Sequence, residues 1–190
     1  GPTGPTGPEG PTGPTGPEGP TGPTGPGAII PFSSGDPLAV TVLLGGAVGL
    51  PGLIGFGSST QAVNVLGATI DISGENNYAF SMPRDGNITS LAVYLSVTLG
   101  VGLGDALTYT VQVYSSATPD DVFTPVPGAV VNLALPAVVT PGQTFDDVIT
   151  GLSIPVSAGT RLLLVASLSG GPLTIAGSVT GYVSAGLGID

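Results

Sequence analysis

The beginning of the chain follows a strict three-residue repeat. Glycine stands at every third position from Gly1 to Gly25, proline follows each of these glycines, and Thr or Glu completes each triplet up to Thr24. Only glycine fits at the axis of three polyproline II chains, so this pattern predicts a collagen-like triple helix. A flexible Pro/Gly linker is the alternative, but linkers of that kind keep no register. The sequence therefore predicts a triple-helical stalk over residues 1–26.

A triple helix also predicts the oligomeric state. It needs three parallel chains, so we expect a homotrimer in which the residues after Gly27 are delivered as three copies at one end of a rod. Gly27 itself is expected to give slack between rod and head. The chain opens within the repeat and without an initiator Met, so we expect a longer protein whose upstream region lies outside this sequence.

The threonines of the repeat are candidate modification sites. Each lies at the third position of a triplet, which is exposed in a triple helix, and its hydroxyl could carry an O-linked sugar. The alternative is that Thr is simply tolerated there. The candidates are Thr3, Thr6, Thr12, Thr15, Thr21 and Thr24.

Composition excludes most enzyme and nucleic-acid functions. The chain has no Cys and no His, its only basic residues are Arg84 and Arg161, and its net charge is −10. Disulfides, thiolate metal sites and catalysis by His, Cys or Lys are therefore absent. An acidic chain with two cations is a poor ligand for nucleic acid. We expect no enzyme activity, no catalytic residues and no cofactor.

The residues after the stalk predict an all-β head. We place a junction at 27–37 and one domain at 38–190, where short runs of Val, Leu, Ile and Thr are separated by turn residues. Such a series favours a sandwich or jelly roll, and the apolar excess favours burial at a threefold interface. The predicted strands are Leu38–Leu44, Ala62–Leu66, Ala68–Ile72, Asn77–Met82, Ile88–Leu99, Leu107–Ser115, Ala129–Leu133, Val148–Ile154, Arg161–Ser167 and Leu173–Ser184.

The stretch from Leu38 to Gly57 contains no charged residue. Its length would suit a membrane-spanning helix, and Gly45 and Gly49 have the spacing of a helix-packing motif. Pro51 and the glycines weaken a helix, and no Lys or Arg flanks the stretch. We therefore predict buried strands and loops, with no membrane insertion.

Carboxylates are the remaining candidates for chemistry. Asp71, Ser73 and Glu75, with Asn76 nearby, could offer oxygen ligands to Ca²⁺, although a turn explains the same residues and no metal is our preferred prediction. Neighbours on an extended chain point to opposite faces, so the pairs Asp120-Asp121 and Asp146-Asp147 would not converge as the two carboxylates of a glycosidase must. We interpret both pairs as solvated turns. Asn87 begins a glycosylation sequon, for which an ordinary turn before a strand is preferred. Each arginine is expected to pair with a carboxylate or a carbonyl.

Several dispersed stretches resemble a known family. They are IIPFSSG, LLGGAVGLPGLIGFGSS, FSMPRDGNITSLAVYLS, VQVYSSATPDDVFTPVPGA and PVSAGTRLLLV. Together with the stalk, they resemble the collagen-like glycoproteins of the bacterial spore surface, the BclA/BclB exosporium group, and most of all the BclB-type C-terminal domain. The resemblance implies a trimeric jelly-roll head similar to those of C1q and tumour necrosis factor. It also implies an extracellular place in the exosporium nap, a glycosylated stalk, and an anchor in the basal layer through the missing N-terminal region.

Two functions remain open from the sequence. The first is structural: the head trimerises, sets the register of the stalk and is displayed at the fibre tip. Trimerisation is needed because a short triple helix is only marginally stable unless a folded domain holds its three chains together. The second is a binding or adhesion module that recognises a ligand on a host or another surface with three-fold avidity. A phage or viral fibre tip is the alternative source.

Overall fold

The computed structural model describes residues 1–23, 25, 27–62, 64–75 and 77–190. Residues 28–189 contain sixteen β-strands, and no helix occurs among the described residues. The strands are β1 (Ala28–Ser33), β2 (Leu38–Val42), β3 (Gly52–Ile54), β4 (Ser59–Gln61), β5 (Val65–Leu66), β6 (Thr69–Asp71), β7 (Phe80–Ser81), β8 (Gly86–Val97), β9 (Val101–Gly102), β10 (Leu107–Ser116), β11 (Val122–Leu135), β12 (Val138–Val139), β13 (Thr144–Ile149), β14 (Ile154–Val156), β15 (Arg161–Gly170) and β16 (Gly177–Ile189).

The strands form two antiparallel sheets and a small ribbon. The six-stranded sheet has the order β1-β16-β8-β13, with β2 also paired to β16 and β14 also paired to β8. The eight-stranded sheet has the order β4-β3-β15-β10-β11-β6-β5, with β7 paired to β15. The ribbon joins β9 and β12.

The connectivity is that of a jelly roll. Along the chain, the principal strands change sheet at each step except from β10 to β11, which pair with each other: β1, β8, β13 and β16 lie in one sheet, and β3, β10, β11 and β15 lie in the other. Two interleaved Greek keys produce this alternation. The all-β prediction is confirmed, and the topology indicates the jelly-roll architecture expected from the sequence.

The core lies between the sheets and follows the period of two expected for strands. On β10, Leu107, Tyr109, Val111 and Val113 are buried, and the residues between them are partly exposed. On β15, by contrast, the run Leu162–Ala166 is buried without interruption. Its alternate side chains enter two clusters, because the segment carrying β5 and β6 covers the outer side of β15. A strand covered on both faces has no polar side, which accounts for the continuous apolar run.

Most predicted strands exist, but their limits differ. Asn77–Met82 contributes a strand at Phe80–Ser81, and Leu173–Ser184 begins its strand at Gly177. The predicted strand Val148–Ile154 spans the end of β13 and the start of β14, which are separated by a break at 150–153 where Gly151 has a φ of 71°. Val63 of the predicted strand Ala62–Leu66 lies outside the described residues. The short strands β3, β4, β9 and β12 were not predicted. The pairings of β3 with β15 and of β9 with β12 join residues distant in sequence, and β4 pairs with β3.

The segment expected as a junction, 27–37, contains β1. This strand pairs with β16 from Ala28↔Ile189 to Ser33↔Ser184 and is an edge strand of the six-stranded sheet. The described stalk residues lie outside any strand and are exposed. Pro26, at the predicted end of the stalk, lies outside the described residues.

The two ends of the head are distinct. Residue 28 pairs with Ile189 at the end of β16, so the stalk enters at that end. The start of β16 lies roughly 40 Å away, at a rise of about 3.3 Å per residue. There it pairs with β2, whose following turn at 43–47 is closed by the Leu43 N–H donating to the Ala47 carbonyl at 2.7 Å. We call these the stalk end and the tip.

The charge-free stretch from Leu38 to Gly57 is divided between core and surface. It forms β2 and β3, and no helix in the described part of the chain is long and apolar enough to cross a bilayer. Leu38, Val40, Val42, Leu53 and Ile54 are buried, as expected. The prediction was wrong for the rest of its large apolar side chains, since Leu43, Leu44, Val48, Leu50 and Phe56 are exposed.

Candidate functional site

The stalk joins the head beside the last residue of the chain. The Asn87 N–H donates to the Asp190 carbonyl and the Asp190 N–H to the Asn87 carbonyl, each at 3.0 Å. A Cβ placed on Gly27 would overlap the Asp190 carboxylate and the Ile189 carbonyl oxygen. Gly27 is therefore explained by close approach of the backbone to the C-terminal residue, a reason the sequence did not suggest.

The stalk glycines have no such explanation within the chain. Apart from immediate chain neighbours, no described atom lies within 4 Å of a Cβ placed on any glycine from Gly1 to Gly25. Of the candidate glycosylation sites, Thr3, Thr6, Thr12, Thr15 and Thr21 are exposed, and Thr24 lies outside the described residues.

The outer face of the six-stranded sheet is the broadest candidate surface. The registers of β8 with β16 and β13 place Tyr94 between Ser184 and Asp146. Leu91, Val93, Leu95 and Val97 of β8 point into the core, so the residues between them point outward. We call this surface the outer face; it consists of Ala92, Tyr94, Ser96, Thr144, Asp146, Val148, Tyr182, Ser184 and Gly186.

The outer face is shallow and nearly uncharged. A depression of about 470 Å³ lies on it, lined by residues that include Ala92, Tyr94, Val148, Ser184 and Gly186. Asp146 is the one charged residue among those that form the outer face. Tyr94 and Tyr182 are 44% and 48% exposed. Small side chains allow two backbones to approach closely, and half-exposed tyrosines suit protein contacts.

Arg161 organises the surface beside β15. Its guanidinium donates to the Asp121 carboxylate at 2.9 Å, to Asn77 Oδ1 at 2.9 Å and to the Asp120 carbonyl. The group also lies 5.2 Å from the centre of the Phe123 ring. Arg84 donates to the Asp85 carbonyl at 3.0 Å. Both arginines thus have the partners that the sequence predicted, and Arg161 holds three segments together.

Asp120 is used within its own turn. Its Oδ1 accepts hydrogen bonds from the Val122 N–H at 2.9 Å and the Ser116 hydroxyl at 2.8 Å. These bonds stabilise the carboxylate and hold the pKa of Asp120 below its ordinary value, with a smaller contribution from Arg161. This arrangement is the turn that we preferred for the Asp120-Asp121 pair.

Asp71 and Glu75 flank a tight turn. Asp71 Oδ1 accepts from the Ser73 hydroxyl at 2.6 Å and from the Ser73 N–H at 2.9 Å, which lowers the pKa of Asp71. The Glu75 N–H donates to the Ile72 carbonyl at 3.0 Å. Asn76, the nearby residue named with these candidates, lies outside the described residues. Across the residues that the structure describes, no group of three or more His, Cys, Asp or Glu could hold a metal ion.

The remaining candidates are separate from these surfaces. Asp146 and Asp147 lie on β13 rather than in a turn, which corrects that interpretation, and only Asp146 belongs to the outer face. Asp147 Oδ1 accepts from the Val148 N–H at 2.8 Å. Asn87 is exposed and lies within β8 rather than in the preceding turn.

Comparison with known proteins supports a collagen-like protein. No family model matches the chain. It is 38% identical over 176 residues to collagen-like protein 1 of Acanthamoeba polyphaga mimivirus, a match that covers 86% of this chain and 19% of that protein. The chain thus spans about a fifth of its relative's length. This relative is viral, and it supports the collagen-like class without supporting the bacterial exosporium type suggested by the resemblance.

Two solved viral structures share a distant likeness. One is infectious bursal disease virus, Gx strain, at 16% identity and a TM-score of 0.34, covering 85% of this chain and 31% of that chain. The other is broad bean stain virus, at 11% identity and a TM-score of 0.31, covering 90% of this chain and 88% of that chain. At these TM-scores neither likeness bears on fold or function.

Proposed function

We propose that this chain is the stalk and head of a trimeric, collagen-like surface fibre. In this proposal, the jelly-roll head trimerises as C1q-like and tumour-necrosis-factor-like heads do and sets the register of the stalk. The observation that carries it is the direct joint between the two parts. The repeat ends at Gly25, and Ala28 is already paired with Ile189 in the six-stranded sheet.

The stalk supports the trimer through its glycines. Their own chain does not require them, whereas a triple helix requires glycine wherever a residue faces the axis. The head supports it through the outer face, which belongs to the six-stranded sheet whose edge strand β1 begins where the stalk ends. Three heads packed by this face would bring three stalks together with a fixed stagger and raise their effective concentration.

The test is the molar mass by light scattering of the full chain and of residues 28–190. We expect three chains for both, because the head has its own core and the described stalk residues are exposed. Ser184→Arg, in the centre of the outer face, should reduce the mass. Thr124→Arg, on the exposed side of β11, should leave it unchanged. A mass of one chain for residues 28–190 would contradict the proposal that the head trimerises and sets the register of the stalk.

For location, we propose the surface of a virus particle, with the head displayed away from the particle. The viral collagen-like relative favours this source over the spore surface. A trimer would carry 3 × −10 = −30 charges, which keeps such particles apart. O-linked sugars on the stalk threonines and an anchor protein upstream belong to the same proposal. Mass spectrometry of purified particles, with and without deglycosylation, tests the location, the O-linked sugars and the presence of an anchor protein.

A ligand-binding role for the head is the second candidate. The half-exposed Tyr94 and Tyr182 on the outer face favour it, since tyrosine is enriched in binding sites. The two roles compete for this face. If Tyr94→Ala and Tyr182→Ala leave the trimer intact but abolish attachment to a host or other surface, the face is a ligand site.

A further inference from the structure

The tip exposes a group of aliphatic side chains that the proposed function does not use. They lie in four segments that connect strands of the two sheets, one of which includes β12. Leu44 and Leu173 are 77% and 75% exposed, and neither is part of a strand. The full group is Leu43, Leu44, Val48, Leu99, Val138, Leu173 and Ile175.

Backbone hydrogen bonds hold these loops together. The Gly45 N–H donates to the Thr174 carbonyl at 2.8 Å, and the Ile175 N–H donates to the Leu103 carbonyl at 2.8 Å. The Leu103 N–H in turn donates to the Ala137 carbonyl at 3.2 Å, beside the β9–β12 ribbon. Bonds therefore connect the turn at 43–47, the loop at 170–176 and the ribbon into one surface.

The turn at 43–47 is built to project. Gly45 and Gly46 have φ values of 85° and 91°, which residues with a side chain rarely adopt. The Gly46 N–H donates back to the Leu43 carbonyl at 3.0 Å, and the Gly170 N–H donates to the Gly46 carbonyl at 3.0 Å. Leu44 is thus held outward on a turn in which these amide groups are already bonded within the protein.

The tip also carries little charge. The ranges 43–48, 98–105, 136–143 and 170–176 contain a single ionisable residue, Asp105. Its carboxylate accepts from the Ala106 N–H at 2.8 Å and the Leu173 N–H at 3.3 Å. The other eleven acidic residues of the chain, 12 − 1, lie elsewhere. A mainly aliphatic surface with one carboxylate thus lies on a strongly acidic molecule.

We propose that the tip binds a lipid bilayer of neutral headgroups by inserting these side chains, which departs from the prediction of no membrane insertion made from the sequence alone. Leu, Ile and Val partition favourably into a bilayer, and insertion is favoured where backbone groups are bonded internally, as those of Leu43, Gly45, Gly46 and Ile175 are. Protein interfaces are instead anchored by Trp, Tyr and Arg, none of which occurs in the four tip ranges. The acidic remainder of the molecule disfavours anionic membranes.

This inference is independent of the trimer, because each head carries its own complete tip. Trimerisation would add avidity, since three tips face the same direction at the end opposite the stalk. A monomeric head would still bind, with lower apparent affinity.

The experiment is flotation of the 190-residue chain with phosphatidylcholine vesicles. We expect the protein to float with the vesicles, and the double variant Leu44→Asp, Leu173→Asp to lose about tenfold or more in partitioning. The double variant Leu44→Ser, Leu173→Ser should also lose binding without added charge. Leu66→Asp is the matched control, because Leu66 is 78% exposed and lies on β5, outside the tip.

Replacing half of the lipid with phosphatidylserine at low salt should weaken binding rather than strengthen it. The proposal is overturned if the unchanged protein does not float, if Leu66→Asp loses binding as strongly as the tip variants, or if anionic lipid is required. It is also overturned if the tip variants instead disperse assemblies larger than a trimer, which would show that a second copy covers the tip.

Discussion

Arg161, the first residue of β15, and Asp121, which directly precedes β11, form an ion pair of 2.9 Å, although β15 and β11 are not neighbours in the eight-stranded sheet. The arginine side chain is 14% exposed and the aspartate 53%, so the pair lies at the edge of the protein interior. Because the same guanidinium reaches Asn77 and the Asp120 carbonyl, it ties β15 to the β10–β11 turn and to the segment before β7.

Replacing Arg161 with Met should therefore destabilise the head. We expect the free energy of unfolding to fall by about 1–3 kcal/mol, the usual range for hydrogen bonds to a charged group. The half-exposed Asp121 can be rehydrated, which limits the loss. Urea unfolding followed by circular dichroism measures the change. Arg84→Met is the control and should change stability by less than about 0.5 kcal/mol; equal losses in both variants would contradict the role of Arg161.

The buried hydroxyl of Tyr109 leads us to expect one core substitution that does not destabilise the head. Its ring is fully buried in the core, and its hydroxyl has no hydrogen-bond partner within the described part of the chain. An unpaired buried hydroxyl costs about 1–3 kcal/mol, so Tyr109→Phe should be neutral or stabilising in thermal unfolding at pH 7. A loss of more than about 1 kcal/mol would show that the hydroxyl is bonded in solution.

Burial also raises the pKa of Tyr109 well above its ordinary value of 10. A group whose pKa is raised on folding contributes stability below its unfolded pKa and loses it as pH rises further. We therefore expect the unchanged head to lose stability above about pH 10, as the unfolded chain ionises. Tyr109→Phe should reduce this alkaline loss, because it removes the buried hydroxyl. Melting temperatures between pH 8 and pH 11 test the difference.

The stability of the head at low pH should depend on Asp120 and Asp71. The pKa of each is lowered from 3.8, mainly by hydrogen bonds from Val122 to Asp120 and from Ser73 to Asp71. A group whose pKa is lowered on folding contributes stability above its unfolded pKa and loses it as pH falls through the folded value. The melting temperature should be level above about pH 5 and decline gently below pH 4. Asp120→Asn should make that decline shallower; an unchanged decline would contradict this assignment.

Glycines in the stalk and at the junction should behave differently. Gly27→Ala should destabilise the head by about 1–3 kcal/mol, because a Cβ there overlaps Asp190 and Ile189 in a packed joint. Gly13→Ala should leave the stability of the head unchanged and melt the triple helix locally, as measured by its polyproline-type circular dichroism. Loss of the head trimer in Gly13→Ala would show that the stalk, and not the head, drives assembly.

Local sequence pattern is enough to predict an all-β head and most of its longer strands, and the predictions of a stalk and of no enzyme activity also rest on it. The glycine period from Gly1 to Gly25 predicts a stalk, since a single residue type satisfies the axis of a triple helix. The alternation around Tyr109 predicts a half-buried strand, because successive side chains on a strand point to opposite faces. The lack of His and Cys removes most catalytic chemistry through composition alone.

Which apolar residues are covered depends instead on tertiary contacts. The run from Leu38 to Gly57 is apolar almost throughout, so its sequence could not separate the buried Leu53 from the exposed Leu44. The difference arises from pairing with residues more than a hundred positions away: β3 lies against β15, whereas the turn at 43–47 projects beyond β16. Burial is a property of these long-range contacts, and hydrophobicity along the chain does not encode them.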